Sequence, residues 1–263
     1  MSPFLKWAGG KRWLFDDAFV SSLPKYDRYI EPFLGGGAGF FAVSPEIAIL
    51  ADVNEELINL YRQVRDGAQK IERALSWLQS RHSKDLYYRI RALQAKSDLS
   101  RAIRTLYLNR SCWNGLYRLN KAGSFNVPIG TKDRIEVPVG SLSAAAKRLQ
   151  NAKIICSDFE AVIDIAVEGD LIFVDPPYTV KHNFNGFVKY NESIFSWNDQ
   201  LRLKDCLIRA KRRGAFVVMT NADHESLREL YAEARMSAQV GRASIISGNR
   251  TGRTRTTELL VLL

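Results

Sequence analysis

No apolar run in this 263-residue chain approaches the roughly 20 residues of a membrane helix, so a spanning segment is not expected. The opening MSPFLKWAGGK has no basic region followed by a long apolar stretch, which argues against a secretory leader. Cysteine is scarce: Cys112, Cys156 and Cys206 are odd in number and far apart. That excludes a disulfide framework and suits a reducing cytoplasm. With only three scattered histidines beside them, no structural metal site is expected. Internal repeats and low-complexity segments are also missing. The glycine cluster at 35–39 lacks the Lys-Ser/Thr ending of a phosphate-gripping loop.

What is present in excess is positive charge. The formal net charge is +10, and it is segregated. Residues 57–145 hold 16 Lys or Arg against 6 Asp or Glu, whereas the remainder holds 22 of each. For any single basic residue a solvated helix face is the simpler reading. A whole excess confined to one segment points to a polyanionic partner. If it neutralises roughly 6 phosphates, log affinity should fall against log salt with a slope near −5.

The same segment marks the domain organisation. Before it, YDRYIEPF (26–33) and IAILA (47–51) read as strands flanking a glycine-rich turn. After it, KIIC (153–156), LIFV (171–174), AFVVM (215–219) and TELLVLL (257–263) read as further strands, with a helix at 197–213. Such alternation predicts an α/β domain built on a largely parallel sheet. Residues 57–108 are expected to be mostly helical, and 111–140, rich in Asn, Gly and Pro, to form a hairpin and loops. The expected division is therefore a catalytic domain of residues 1–56 and 146–263 with an inserted recognition domain of 57–145.

Three motifs carry chemistry. In EPFLGGGAGFF (31–41) the glycines let a ligand approach the backbone, and the next strand ends in Asp52. That separation suits an acid against ribose hydroxyls, so a nucleoside ligand is expected. FLKWAGGK (4–11) sets an aromatic and two lysines around a glycine turn, equally suited to an arm packed on the core or to a cation facing a carboxylate. In DLIFVDPPY (170–178) a buried strand stops at Asp175-Pro176-Pro177-Tyr178. Two prolines fix φ and remove N–H donors, so carbonyls are offered as rigid acceptors. Asp175 adds a charged acceptor and Tyr178 a flat face. Together they suit a planar base with an exocyclic amino group.

These three motifs, in this order, resemble the Dam-like (D12 class) DNA adenine-N6 methyltransferases over nearly the full chain. The segment LNRSCWNGLYRLNKAGSFNVPIG (108–130) is similar to the family's DNA-reading hairpin. The resemblance implies a Rossmann-like S-adenosylmethionine-dependent fold with a mostly helical DNA-recognition insert carrying a β-hairpin. It implies that Trp7 and Lys11 contact the methionine part of S-adenosylmethionine, that Phe33, Gly35 and Gly37 line its bed, and that Asp52 binds the ribose. Asp158 and Phe159 would meet the cofactor adenine. Asp175, Pro176, Pro177 and Tyr178 would hold the target adenine, with Asp175 also beside the cofactor. On double-stranded DNA, Lys6 would reach a base and Arg110 would grip the backbone. Trp113 would fill the gap left by a flipped base, beside Asn114, and Leu116, Arg118 and Pro128 would read bases.

Thr131 stands where GATC-reading members carry an arginine, with Lys132 and Arg134 nearby as substitutes. Asp before Pro-Pro-Tyr leans to adenine, whereas Ser there is commoner for cytosine-N4 transfer. The implied enzyme is bacterial or phage-encoded, cytoplasmic, monomeric and metal-free. The loop SGNRTGRTR (247–255) suits either a second phosphate grip or a mobile surface loop.

Overall fold

The computed structural model describes residues 2–120, 122–135, 137, 140–180, 195–234, 236–243 and 255–263. The loop 247–255 therefore lies outside the described residues except for the backbone of Arg255. Two compact units divide the chain, one of residues 1–21, 34–46 and 50–156, the other of 22–33, 47–49 and 157–263.

In chain order, helix α1 (Asp17–Ser22), strand β1 (Arg28–Glu31), helix α2 (Ala38–Val43) and strand β2 (Ala48–Asp52) come first. The long helix α3 (Glu55–Gln79) follows, then α4 (Lys84–Ala92), α5 (Asp98–Ser111) and a single 3-10 turn, Trp113–Gly115. Helix α6 (Ser141–Leu149) and strand β3 (Ala152–Cys156) complete the first unit.

The local sequence explains these helices. Asn54 caps α3 by accepting the Leu57 N–H (3.1 Å), with Glu55 and Glu56 placed favourably in the first turn. Leu57, Leu60, Tyr61, Val64, Ala68, Ile71, Leu75 and Leu78 then form one buried stripe. Gly67, at φ −157° and ψ 35°, interrupts the helical backbone. Ser97 and Ser100 close a reciprocal capping box on α5. Fully burying each Leu or Ile of such a stripe contributes about 1.5–3 kcal/mol. The helical region expected from 57 to 108 is thus three capped helices packed on one another.

The hairpin expected in 111–140 is reduced, among the described residues, to two isolated antiparallel bridges, Cys112 with Ile129 and Leu119 with Phe125. Its tip is a loop in which Asn120 Oδ1 accepts the N–H groups of Ala122 and Ser124 (3.0 and 2.9 Å). A continuous ladder is broken because Pro128 has no N–H and the segment is dense in Asn and Gly.

The second unit holds helix α7 (Phe159–Ile163), strand β4 (Asp170–Val174), helix α8 (Trp197–Arg212), strand β5 (Phe216–Ala222), helix α9 (Glu225–Leu230) and strands β6 (Met236–Ala243) and β7 (Arg255–Leu262). Within this unit the strands run β1-β4-β5-β7-β6. β1, β4 and β5 are parallel, and β7 is antiparallel to both β5 and β6. All five residues of β4 are buried. Its first, Asp170, faces Arg28 of β1 in register, and the two form a bidentate pair (2.9 and 2.6 Å). Strand β6 was not expected, although Met236, Ala238 and Val240 do alternate with Ser237, Gln239 and Gly241. No described helix is long and apolar enough to cross a membrane.

Candidate active site

The DPPY segment leaves the carboxyl end of β4, where parallel sheets place ligands. The register Val174 with Met219 carries Asp175 alongside Thr220 of β5. The Thr220 hydroxyl donates to Asp175 Oδ1 at 2.8 Å. Pro176 is buried, whereas Asp175, Pro177 and Tyr178 are half-buried and so accessible to a substrate. The Tyr178 hydroxyl donates to Glu258 Oε2 of β7 at 2.6 Å.

In the first unit the glycine turn, the N-terminal arm and Asp52 form one cluster. Gly35 and Gly37 have φ of 46° and 68°. A Cβ on Gly35 would lie 2.9 Å from the Trp7 ring, and one on Gly37 2.8 Å from the Tyr61 hydroxyl. Side chains are thereby excluded at both positions. The Gly35 N–H donates to Asp52 Oδ2, and the Asn54 N–H to Oδ1, both at 3.0 Å. Burial raises the Asp52 carboxyl above its ordinary range, and these N–H donors pull it part of the way back. Tyr61 donates to the Gly35 carbonyl (3.2 Å). Lys11 is buried, and its ammonium donates to the Gly9 carbonyl at 2.6 Å. Trp7 also stacks on Tyr117, centroids 5.4 Å apart.

In the second unit Phe33 and Phe159 stack with centroids 5.3 Å apart, and Phe195 meets Phe33 edge-on at 5.7 Å. Asp158 caps α7 by accepting the Glu160 N–H (2.9 Å) and takes a bidentate pair from Arg202 (2.7 and 3.0 Å). Burial raises its carboxyl, but Arg202 and the Glu160 N–H outweigh that and leave it below the ordinary range. The Arg202 guanidinium lies 4.2 Å over the Phe159 ring.

The expected DNA-contacting residues also come together in the first unit. Asn109, buried in α5, accepts the Lys6 N–H (3.0 Å) and donates to the carbonyls of Lys6 (2.7 Å) and Gly115 (3.2 Å). Gly115, at φ 66°, leaves no room for a Cβ against the Lys6 stem, which would lie within 2.4 Å. Asn114 adopts φ 52°, and Trp113 is 44% exposed although large and apolar. The Trp113 N–H donates to the Pro128 carbonyl (3.0 Å). Arg118 is exposed, and its Nε donates to Asn126 Oδ1 (2.8 Å). Leu116 and Arg110 are half-buried beside this turn. Thr131, Lys132 and Arg134 are all exposed.

Part of the segment's positive charge is committed internally. Arg101 is paired with Glu55, Glu56 and Asp98, Arg104 donates to the carbonyls of Ile90 and Arg91, and Arg62 donates to that of Ile154. Sequence reasoning passed over Asn109, Tyr61, Phe195, Arg202, Thr220 and Glu258. A signal existed for two of them: Asn109 interrupts an apolar helix, and Glu258 interrupts the apolar strand TELLVLL. Among the described residues no cluster of His, Cys, Asp and Glu could hold a metal.

Known proteins match this chain over most of its length. Residues 7–248 match the family described as D12 class N6 adenine-specific DNA methyltransferase. A type II methyltransferase of Lactococcus lactis subsp. cremoris is 36% identical over 242 residues, covering 89% of this chain and 85% of that protein. A DNA N-6-adenine-methyltransferase of Escherichia phage P1 is 40% identical over 233 residues, 87% of this chain but 31% of the phage protein. A DNA adenine methylase of Vibrio cholerae is 36% identical over 264 residues, 98% of this chain and 95% of that enzyme. With a strand-end Asp-Pro-Pro-Tyr, a glycine turn bound to an acid and a basic middle segment, the chain belongs to the D12 class of N6 adenine-specific DNA methyltransferases and has its Rossmann-like fold.

Proposed function

We propose that this methyltransferase flips a target adenine out of duplex DNA and methylates its N6, using the residues described above. Residues 57–145 read the DNA, and residues 1–56 with 146–263 carry out the transfer, in the cytoplasm and as a monomer. The observation that carries the reading is the DPPY segment, with its accessible carboxylate and ring held by β5 and β7.

The cofactor fits the side chains on chemical grounds. Asp52, already receiving two backbone N–H groups, has further lone pairs for ribose hydroxyls. The glycine turn, with no side chain at Gly35 or Gly37 and Trp7 packed against it, exposes bare backbone that a nucleoside can approach. Lys11 supplies a cation for the methionine carboxylate. Phe33 and Phe159 offer aromatic faces to the cofactor adenine, with Asp158 oriented by Arg202. S-adenosylmethionine supplies a methyl group on sulfonium sulfur and leaves as S-adenosylhomocysteine.

An adenine amino nitrogen is a poor nucleophile because its lone pair is delocalised into the ring. Asp175 and the Pro176 carbonyl each accept one of its N–H bonds, which favours a pyramidal nitrogen with its lone pair available for attack. Asp175 also stabilises the positive charge that develops there. Orientation of this kind contributes about 7–11 kcal/mol to catalysis. Extruding the base costs a few kcal/mol, and stacking on Tyr178 offsets about 1–3 kcal/mol of it.

Lys6, Arg110, Trp113, Asn114, Leu116, Arg118 and Pro128 meet the DNA, and the target is GATC or a related site. Thr131 makes the outer base pair the position where it departs. Sequencing DNA from expressing cells with modification detection should find N6-methyladenine in one short motif; unmodified DNA, or adenines modified without any motif, would refute the reading.

A further inference from the structure

Two buried polar side chains on one face of the β5–β7 pair are bonded to the DPPY segment. The register opposes Thr220 to Leu260 and Ala222 to Glu258. Opposed residues of an antiparallel pair project to the same face, as do residues two apart on a strand. Thr220 and Glu258 therefore share a face. Asn221 projects to the other, where it donates to Gln200 of α8 (3.1 Å).

Thr220 is 1% exposed and Glu258 3% exposed. A valine and a leucine would serve the packing of such strands better, since a buried carboxylate is costly unless it is hydrogen-bonded. Both side chains instead point their polar atoms at the motif, Thr220 at Asp175 Oδ1 and Glu258 at the Tyr178 hydroxyl. The final bond of Asp has a broad rotational well, so packing alone does not fix the carboxylate tilt. The Tyr178 hydroxyl lies at the far end of a half-buried ring, so its bond to Glu258 anchors the end that packing leaves free.

We infer that Thr220 and Glu258 are positioning residues for methyl transfer, Thr220 setting the rotation of the Asp175 carboxylate and Glu258 fixing where the hydroxyl end of the Tyr178 ring sits. The inference rests on the assignment of Asp175 and Tyr178 to the target adenine. Neither residue touches the base. Each acts through its partner, so its loss shows in turnover more than in binding, because small misplacements of reacting groups are expensive.

Steady-state kinetics on duplex DNA test this, with unfolding midpoints measured for every variant. Thr220→Val should lower kcat about tenfold with KM for S-adenosylmethionine unchanged, and Thr220→Ser should restore it. Glu258→Gln and Tyr178→Phe should each lower kcat, and the double variant should be no slower than the worse single one. Glu258→Leu should be at least as stable as the parent and still slow. With 2-aminopurine at the target position, Glu258→Gln should raise fluorescence through looser stacking.

Additive losses in the double variant, failure of Ser to restore, or kcat that falls only as far as the unfolding midpoint does would overturn the inference. Asp175→Ala and Tyr178→Ala run alongside. If both retain full transfer, the site assignment itself fails; if both lose it while Thr220→Val and Glu258→Gln keep kcat within about twofold, only the positioning role fails.

Discussion

The DPPY segment and the reading turn are built by opposite means. DPPY leaves a wholly buried strand, and its two polar side chains are tied to buried groups on neighbouring strands. The 111–130 turn has two isolated bridges with a few backbone bonds beside them, and it exposes Trp113, Asn114, Arg118 and Pro128 to solvent. Its rigidity lies underneath, in Asn109 and in the Tyr87 hydroxyl bonded to the Val127 carbonyl (2.9 Å). On the function proposed above, chemistry would use a fixed array of acceptors grafted on the sheet, and recognition would use outward-reaching side chains on loops whose scaffold alone is fixed.

The largest effect expected on the first region is from Asp175→Ala, which should cut kcat by about 10³-fold or more. Salt-sensitive DNA binding, followed by fluorescence anisotropy, should survive; if both fall together, the carboxylate belongs to the scaffold rather than to the chemistry. On the second region, Asn109→Ala should lower stability by about 2–3 kcal/mol, because it strands backbone groups of Lys6 and Gly115. Urea denaturation reads this directly, and an unchanged midpoint would remove Asn109 as the anchor of the turn.

Arg118→Ala should leave turnover on the preferred site nearly intact but reduce discrimination at one base pair by about 1–3 kcal/mol. Competition between matched and single-mismatch duplexes measures it, and uniform weakening across all duplexes would make Arg118 a phosphate contact instead.

The smallest effect expected is on pH dependence. Burial raises the Asp52 carboxyl, whereas binding ribose hydroxyls needs the anion. Cofactor affinity should therefore fall as pH drops through that raised value, at a higher pH than for an ordinary carboxylate. Stability of the free protein carries the opposite sign: burial favours the protonated form, so Asp52's contribution is lost as pH rises through its folded pKa. Calorimetric titration of the cofactor at falling pH, with unfolding midpoints measured at each pH, should separate the two.

The legible parts of this molecule were those with a local signal. Strands β1, β2, β3, β4, β5 and β7 were readable because each is a short apolar run closed by a polar or glycine-rich stop. The DPPY segment, the glycine turn and Asp52 were readable because only special backbone chemistry puts those residues at strand ends, whereas the Gly35 N–H bond to Asp52 was not. Strand β6 was missed because its alternation is weak and its only partner, among the described residues, is another edge-side strand, β7. Thr220 and Glu258 were missed for a different reason. Nothing local distinguishes a threonine ending a strand until the register sets it beside Asp175. The hairpin was readable from apolar pairs flanking Asn and Gly, but it is short: antiparallel bridges Leu119–Phe125 and Cys112–Ile129 with backbone bonds beside them, separated by the 3-10 turn at 113–115.

On the function proposed above, Asp175-Pro176-Pro177-Tyr178 presents an adenine amino group for methylation. Incubating the protein and its Asp175→Ala variant with tritiated S-adenosylmethionine and duplex DNA, then digesting and separating the nucleosides, tests it most directly. The predicted result is label in N6-methyladenine with the parent protein and none with the variant. Label in N4-methylcytosine, equal label with the variant, or no label while cofactor binding is intact would contradict it.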